Sequence, residues 1–544
     1  MSEKRKLSDE TENDKEAIFR FSSTLTFIIV ILVIGVPMWW KTTEVYRVPL
    51  PYTEISDLLK TPIKTKVNIG IFTHNEERTK SLIHDLILYF KEHEIVDLHF
   101  SSINLDKKLA EEAHSPAALE NLAQKSVEVR DGDFMFIEWM KLTEEVLVNS
   151  GRAAFISSNA TASKIQQVIR SWLLQEYRLK SILGSITTVS GQKLHHNTPP
   201  PQPQYDVLLS VLNPNPELQK LNWNVRLAAE RYIEPYLKSL SPLSNFTIKS
   251  QWKYQVKFDH VDRQIPDNSK LKRHFMLHED HLPQIITSLE KRLGNQVSSY
   301  PCVHLVFYMP PCKKGPLHIY KKNGERASTN DVDSFISAKW GGIVIVNPPE
   351  AVCEKFMENE EILTEVDVNS HDAMEKALFL LRKIFDMESN QPIKGVGMTE
   401  QETILPRNWE VDTYLRTGAI HLIHSAQSTL NSLIQLLGGI SYIVINDQVG
   451  TEIKNSYAEV VAAKKCLAES DLKCAVMHAR NAFIAAEAAF FDPSLLALLY
   501  FPDEQKYAIY IPLFLPIMIP VILSLSSIKK FFSKNSEETK TKEE

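Results

Sequence analysis

His274, His278 and His281 stand four and three residues apart in HFMLHEDHL, beside Glu279 and Asp280. On a helix that spacing would gather three imidazoles on one face, as ligands for a zinc-like ion. The order is not the H-E-x-x-H of a zinc protease, and a polar, solvated helix face accounts for the same residues, so no metal is assigned. The five cysteines are Cys302, Cys312, Cys353, Cys466 and Cys474. They are too few and too scattered for a disulfide-built scaffold, although Cys302 and Cys312 could bridge across one turn, and an odd number leaves at least one thiol unpaired. A cysteine nucleophile needs a setting that stabilises its thiolate and a histidine base nearby in space. Cys302 falls in an apolar strand, Cys353 in a short helical stretch after Pro348 and Pro349, and Cys466 and Cys474 in alanine-rich helices. None has a Q-A-C-x-G setting, and packing is the reading for all five. Trp340-Gly341-Gly342 enters a strand through a turn, Gly395-Val396-Gly397 lacks the rest of a dinucleotide loop, and there is no G-x-S-x-G and no P-loop. No catalytic residue and no cofactor is assigned.

The elements that would position such residues follow from hydrophobic period. KVNIGIF, the helical pattern SLIHDLILYFKEH and VDLHFSSI make a β-α-β unit. The pairing recurs: AAFIS precedes a helix through Ile165 to Leu174, YDVLLSVL precedes NVRLAAERYIEPYLKSL, and CVHLVFYM and GGIVIVN precede a helix near Ala373 to Phe385. Alternation of this kind predicts sheets with helices on their faces. The proline stretch Pro199 to Pro203 is a stiff linker between two such halves. After Gly397 the texture changes to long helical patterns, which predict an antiparallel helical array, with SLLALLYF after Asp492 and Pro493 lying along a membrane face.

Two uncharged runs are long enough to cross a hydrocarbon core of about 30 Å. FSSTLTFIIVILVIGVPMWW, residues 21–40, lies between Arg20 and Lys41 and ends in an aromatic pair suited to a bilayer interface. YAIYIPLFLPIMIPVILSLSSI, residues 507–528, carries Pro512, Pro516 and Pro520 four residues apart, near one stripe of a helix, where freed carbonyls favour a face packed on another subunit's helices. Basic residues outside both runs put both tails in the cytosol. Asn159-Ala160-Thr161 and Asn245-Phe246-Thr247 are N-glycosylation acceptors compatible with a lumenal middle, and Lys540 and Lys542 near the end match a dilysine retrieval signal. The expected organisation is a cytosolic tail (1–20), a transmembrane helix (21–40), a lumenal α/β domain (41–396), a lumenal helical region with a membrane-surface helix (397–506), a second transmembrane helix (507–528) and a cytosolic tail (529–544). With 544 residues a large core is available without metals, and a net charge of −6, with no basic run interleaved with aromatics, excludes a nucleic-acid surface.

GVPMWWKTTEVYRVPLPYTEI (35–55), TLNSLIQLLGGISYIVINDQV (429–449) and FFDPSLLALLYFPDEQKYAIYIPLFLPIMIP (490–520) resemble the PIG-S family, over nearly the whole chain. The resemblance implies a noncatalytic scaffold or substrate-receiving subunit of the glycosylphosphatidylinositol (GPI) transamidase of the endoplasmic-reticulum membrane, which attaches preformed GPI anchors to precursor C-termini. Its implied partners are the caspase-like PIG-K, which carries the catalytic cysteine, then PIG-T, PIG-U and a Gaa-type subunit, along with membrane lipid and the precursor or the GPI itself. The other readings are a membrane-tethered lumenal enzyme using the three histidines as a metal site, and a cell-surface receptor or adhesion protein.

Overall fold

The computed structural model describes residues 16, 18–19, 21–91, 93–105, 113, 115–126, 129–184, 199–258, 261, 263–265, 274–293, 299–326, 333–337, 340–358, 363–387, 392–400, 405–440, 443–495, 508–516, 518–520 and 522–523. The chain divides into two compact units, a larger one of Thr53–Leu430 with Asn455–Glu487, and a smaller one of Met1–Tyr52, Asn431–Lys454 and Ala488–Glu544.

The larger unit begins with helix α1 (Tyr52–Lys60) and strand β1 (Thr65–Phe72), in which Val67, Ile69 and Ile71 point alternately into the core. Asn75 then accepts a hydrogen bond from the Glu77 amide and starts α2 (Glu76–Phe90), whose buried residues Leu82, Leu86 and Phe90 recur at helical spacing. The first half continues with β2 (Val96–Ser102), α3 (Pro116–Ser126), β3 (Phe134–Glu138), β4 (Val146–Val148), β5 (Ala153–Ile156), α4 (Ala162–Val168, followed by a π-turn Ile169–Leu173) and α5 (Glu176–Ile182). The second half holds β6 (Gln204–Asn213), β7 (Gln219–Asn222), α6 (Val225–Ala228), which continues through a π-turn to Leu240, then β8 (Asn245–Tyr254), β9 (Arg263–Ile265), β10 (His274–His278), α7 (Leu282–Arg292), β11 (Cys302–Tyr308), β12 (Leu317–Tyr320), β13 (Ser334–Ser337), β14 (Gly341–Ile345), α8 (Glu350–Glu358), β15 (Thr364–Asp367) and α9 (Ser370–Ile384).

The first sheet has the order β2-β1-β3-β5-β4, extended at the β4 edge by a last strand, β16 (Val396–Met398); the second has the order β8-β6-β11-β14-β13. Counted within its own half, each order is 2-1-3-5-4. In each the fourth strand is antiparallel to the fifth and the first three are parallel. The two halves thus repeat one doubly wound pattern, with a reversal of strand order between the first and third strands of each. The alternation seen in the sequence is accounted for, and the proline stretch stands between the halves. Two smaller sheets, β12-β10-β9 and β15-β7, add to the second half.

Three long helices follow: α10 (Asn408–Gly439), α11 (Asp447–Ala468) and α12 (Leu472–Phe490). The first turns of α10 hold the two halves of the larger unit together. Trp409 stacks on Trp172, at 6.2 Å between ring centroids, and donates its indole N–H to the Asn149 carbonyl. Arg416, fully buried, donates to the carbonyls of Leu173 and Gly132. Arg382 of α9 grips Glu410 with one nitrogen at 2.8 and 2.9 Å from its two carboxylate oxygens, and Leu243 from the second half packs where a Cβ on Gly418 would stand. A buried charge is tolerated only when its hydrogen-bonding capacity is met, and Glu410 and Arg416 meet that condition.

In the smaller unit, Phe21–Lys41 forms a 21-residue apolar helix with no buried residue in its most apolar stretch. Among the described residues it is the one helix long and apolar enough to cross a membrane. The second expected span is described only in part: residues 508–516 are helical, and Trp39 meets Tyr510 and Phe514 edge to face, with centroids 5.9 and 5.4 Å apart. Arg47 donates to the carbonyls of Leu437 and Ile440 and so closes the C-terminal end of α10, where carbonyls lack helical partners. Beside it Val48 and Tyr46 exchange backbone hydrogen bonds with Ile445.

Candidate functional site

The histidine trio does not assemble. HFMLH is strand β10, not helix, so His274 and His278 project four residues apart along one strand, roughly 13 Å at a rise of about 3.3 Å per residue. His281 lies beyond, in a 3₁₀ turn Glu279–His281. The helix read over these residues, whether as a metal face or as a polar solvated one, is therefore corrected: pairing of β10 with both β12 and β9 makes the stretch a strand. His274, buried, instead sets Nε2 2.5 Å from the Tyr320 hydroxyl and lies against His318. His318 Nδ1 stands 2.6 Å from Asp333 and 2.7 Å from an Arg326 nitrogen. Sequence reasoning missed this group because Asp333 and Arg326 carry no recognisable spacing to the histidines: pairing of β10 with β12 sets the histidines side by side, a bridge from Tyr320 brings in Arg326, and Asp333 accepts from the Ile319 amide.

The thiols are also rearranged from expectation. Cys312 bonds to Cys353, with Cα atoms 5.1 Å apart, so the bridge across one turn between Cys302 and Cys312 is not made. Cys466 and Cys474 form a second disulfide between the end of α11 and the first turn of α12. Four thiols are thus structural. His478 is close enough that it and the two sulfurs could face one ion, all within 4.8 Å, and its Nδ1 is 2.6 Å from Glu459. With the sulfurs joined to each other, the arrangement is a staple of the helical hairpin. Cys302 alone is free, half-buried on β11 beside Asp206. Burial, reinforced by the Asp206 carboxylate, pushes its thiol up to about 11. A nucleophilic cysteine needs the opposite shift.

In open α/β sheets, ligands favour the crevice at the carboxyl ends of the strands where strand order reverses. In the first half that place holds Glu138, at the end of β3, which accepts from the amide of His74 at 2.7 Å and from Arg78. Arg78 also donates to the carbonyls of Ser157 and Ala160, and Thr73 and Thr79 join their hydroxyls at 2.8 Å. The crevice is closed by an internally paired network. In the second half the corresponding place is filled by Phe258, stacked on Tyr308 with centroids 3.6 Å apart.

The remaining expected sites lie at surfaces. Asn159 is exposed in the turn after β5, and Thr161 of the same acceptor caps α4 by accepting from the Lys164 amide. Asn245 is exposed at the start of edge strand β8, and its Oδ1 accepts from Arg480. Pro512, Pro516 and Pro520 are all exposed, whereas Phe514 turns toward Trp39. Lys540 and Lys542 lie outside the described residues, as do most of SLLALLYF and residues 524–528.

Fold and surface together define a protein with a tandem doubly wound α/β body, a helical array and, among the described residues, one helix long and apolar enough to cross a membrane. The family model of the phosphatidylinositol-glycan biosynthesis class S protein, PIG-S, matches residues 26–535. The chain is 32% identical over 546 residues to the GPI-anchor transamidase component PIGS of Mus musculus, covering 95% of this chain and 96% of the relative. To that of Homo sapiens it is also 32% identical, over 93% and 94%. A Schizosaccharomyces pombe GPI transamidase component PIG-S homolog is 24% identical over 92% of this chain and 82% of its own length. The chain belongs to the PIG-S family.

Proposed function

We propose that this chain is a noncatalytic subunit of a GPI transamidase, holding other subunits together and receiving precursor or lipid. The observation that carries the reading is the end-to-end match to a family whose relatives are named as components of that enzyme. The thiols agree with it: four are tied in disulfides and the fifth is held protonated, so the thiol chemistry falls to another chain, the caspase-like PIG-K. PIG-T, PIG-U and a Gaa-type subunit complete the proposed assembly. Its place is the endoplasmic-reticulum membrane, crossed at 21–40 and 507–528, with both termini cytosolic and the α/β body lumenal. The exposed proline stripe of the second span offers partner helices a face with free carbonyls.

Affinity isolation of the full chain in mild detergent, with identification of the co-purifying proteins, tests this directly. Recovery of the caspase-like subunit and its companions is expected; recovery of the chain alone overturns the reading. Replacing Pro512, Pro516 and Pro520 together by alanine should lower recovery of partners severalfold at an unchanged amount of chain.

A further inference from the structure

A recess of about 610 Å³ opens between the end of α2 and the start of α5, away from the closed crevice of the first sheet. Its floor is Glu176, only 12% exposed. Three groups converge on that carboxylate: Lys180 Nζ at 2.6 Å, Arg170 Nε at 3.4 Å and His93 Nε2 at 3.4 Å. The amides of Ile95 and Val96 both donate to His93 Nδ1, so the ring proton sits on Nε2, facing Glu176. The Arg170 guanidinium lies over the Phe90 ring, 5.2 Å from its centroid, and donates to the Tyr89 carbonyl. Lys91 adds a third positive charge to the wall and Glu94 a second negative one.

One carboxylate cannot satisfy every donor that surrounds it. Lysine has three and arginine five, and Lys180 and Arg170 keep 40% and 41% of their side chains exposed beside the recess. An anion entering there is met by donors already held in place, at less entropic cost than mobile surface lysines demand. A half-open recess of this size, lined mainly by charged groups, rejects an alkyl chain and suits a polar body bearing the anion. At the rim, Leu88 and Tyr89 are 57% and 46% exposed and present an apolar edge to such a body.

We infer that this recess binds a phosphate ester of a polyol or sugar, with Arg170 and Lys180 on the phosphate and Tyr89 against the ring. It rests on the transamidase reading only for the source of the ligand, an anchor-lipid head group. Glu176 acts as an internal counter-ion that the phosphate displaces in part.

The test uses the full-length chain in detergent, titrated with myo-inositol 1-phosphate. Saturable binding is expected, weakened at least tenfold in the Arg170→Ala, Lys180→Ala double variant and strengthened severalfold in Glu176→Gln, which removes the competing charge but keeps the shape. Misfolding cannot strengthen binding, so opposite signs for the two variants discriminate a site from damage. No saturable binding to the natural chain, equal binding of inorganic phosphate, or weakening in Glu176→Gln overturns the inference. Nanodiscs containing phosphatidylinositol that displace the probe identify a lipid head group as the source, and failure to displace it identifies a free phosphate ester; either supports the recess. Co-isolation of partner chains with the double variant keeps failure of the recess distinct from failure of the subunit assignment.

Discussion

At the scale of single residues, protonation separates the structural groups from the reactive ones. With its thiol at about 11, Cys302 is ionised to only ~0.1% at pH 8, against roughly a quarter for an ordinary thiol. Alkylation of the native chain by iodoacetamide should therefore be about a hundredfold slower than that of free cysteine at pH 8, and should rise about tenfold per pH unit up to about 11. Rapid labelling of Cys302 at neutral pH would contradict this. Glu176 moves the other way: the His93 N–H facing it at 3.4 Å first, then Lys180 and Arg170, outweigh burial and hold it at about 2 instead of the usual 4.5. A depressed carboxylate stabilises the fold above its unfolded value and loses that contribution as pH falls toward the folded one. Melting of the natural chain should fall between pH 4.5 and 2, whereas Glu176→Gln should lie about 1–2 kcal/mol lower at pH 7, after solvent screening, and vary less across that window. Neither group was legible in sequence. Burial of Cys302 on β11 could be read from its apolar neighbours, but the company of Glu176 includes, beside the nearby Arg170 and Lys180, His93 from 83 positions away.

At the scale of elements, period was an adequate guide wherever an element had one buried face and enough length. β1 and β2 stand where KVNIGIF and VDLHFSSI put them, α2 covers most of SLIHDLILYFKEH but starts earlier, at Glu76, and ends at Phe90, and α10 to α12 follow the long helical patterns. The failure at His274 to His278 has a physical cause: five residues with apolar centres satisfy periods of two and of about four equally, and only neighbours choose. Disulfide partners were equally hidden, since spacing cannot give connectivity. Cys312 and Cys353 stand 41 positions apart. In the chain-entropy picture their joint replacement by serine costs roughly 2–4 kcal/mol. A fall in the melting temperature of that variant, matched by mild reductant on the natural chain, checks the prediction; no fall would mean that the 3₁₀ turn Cys312–Lys314 and α8 are held by packing alone.

At the scale of the whole molecule, the family match and the apolar helix Phe21–Lys41 were both foreshadowed by long mixed strings, which are far more specific than short motifs. With a lumenal body, the exposed Asn159 and Asn245 should carry high-mannose glycans. Asn159→Gln and Asn245→Gln should each remove one endoglycosidase-H-sensitive mobility step, and a chain with no such step would contradict the proposed orientation. The edge strand β16 bears on a different matter, the order in which the body is completed. It joins β4 in parallel, Val396 to Val146, from the far side of the entire second half. A polypeptide threaded into a compartment from its N-terminus therefore presents β4 as an unsealed border, with unpaired N–H and C=O groups, until some 250 further residues have arrived. Through that interval the first half keeps an open sheet edge of the kind that invites aggregation, and a chain that stops anywhere within the second half lacks the strand that covers it.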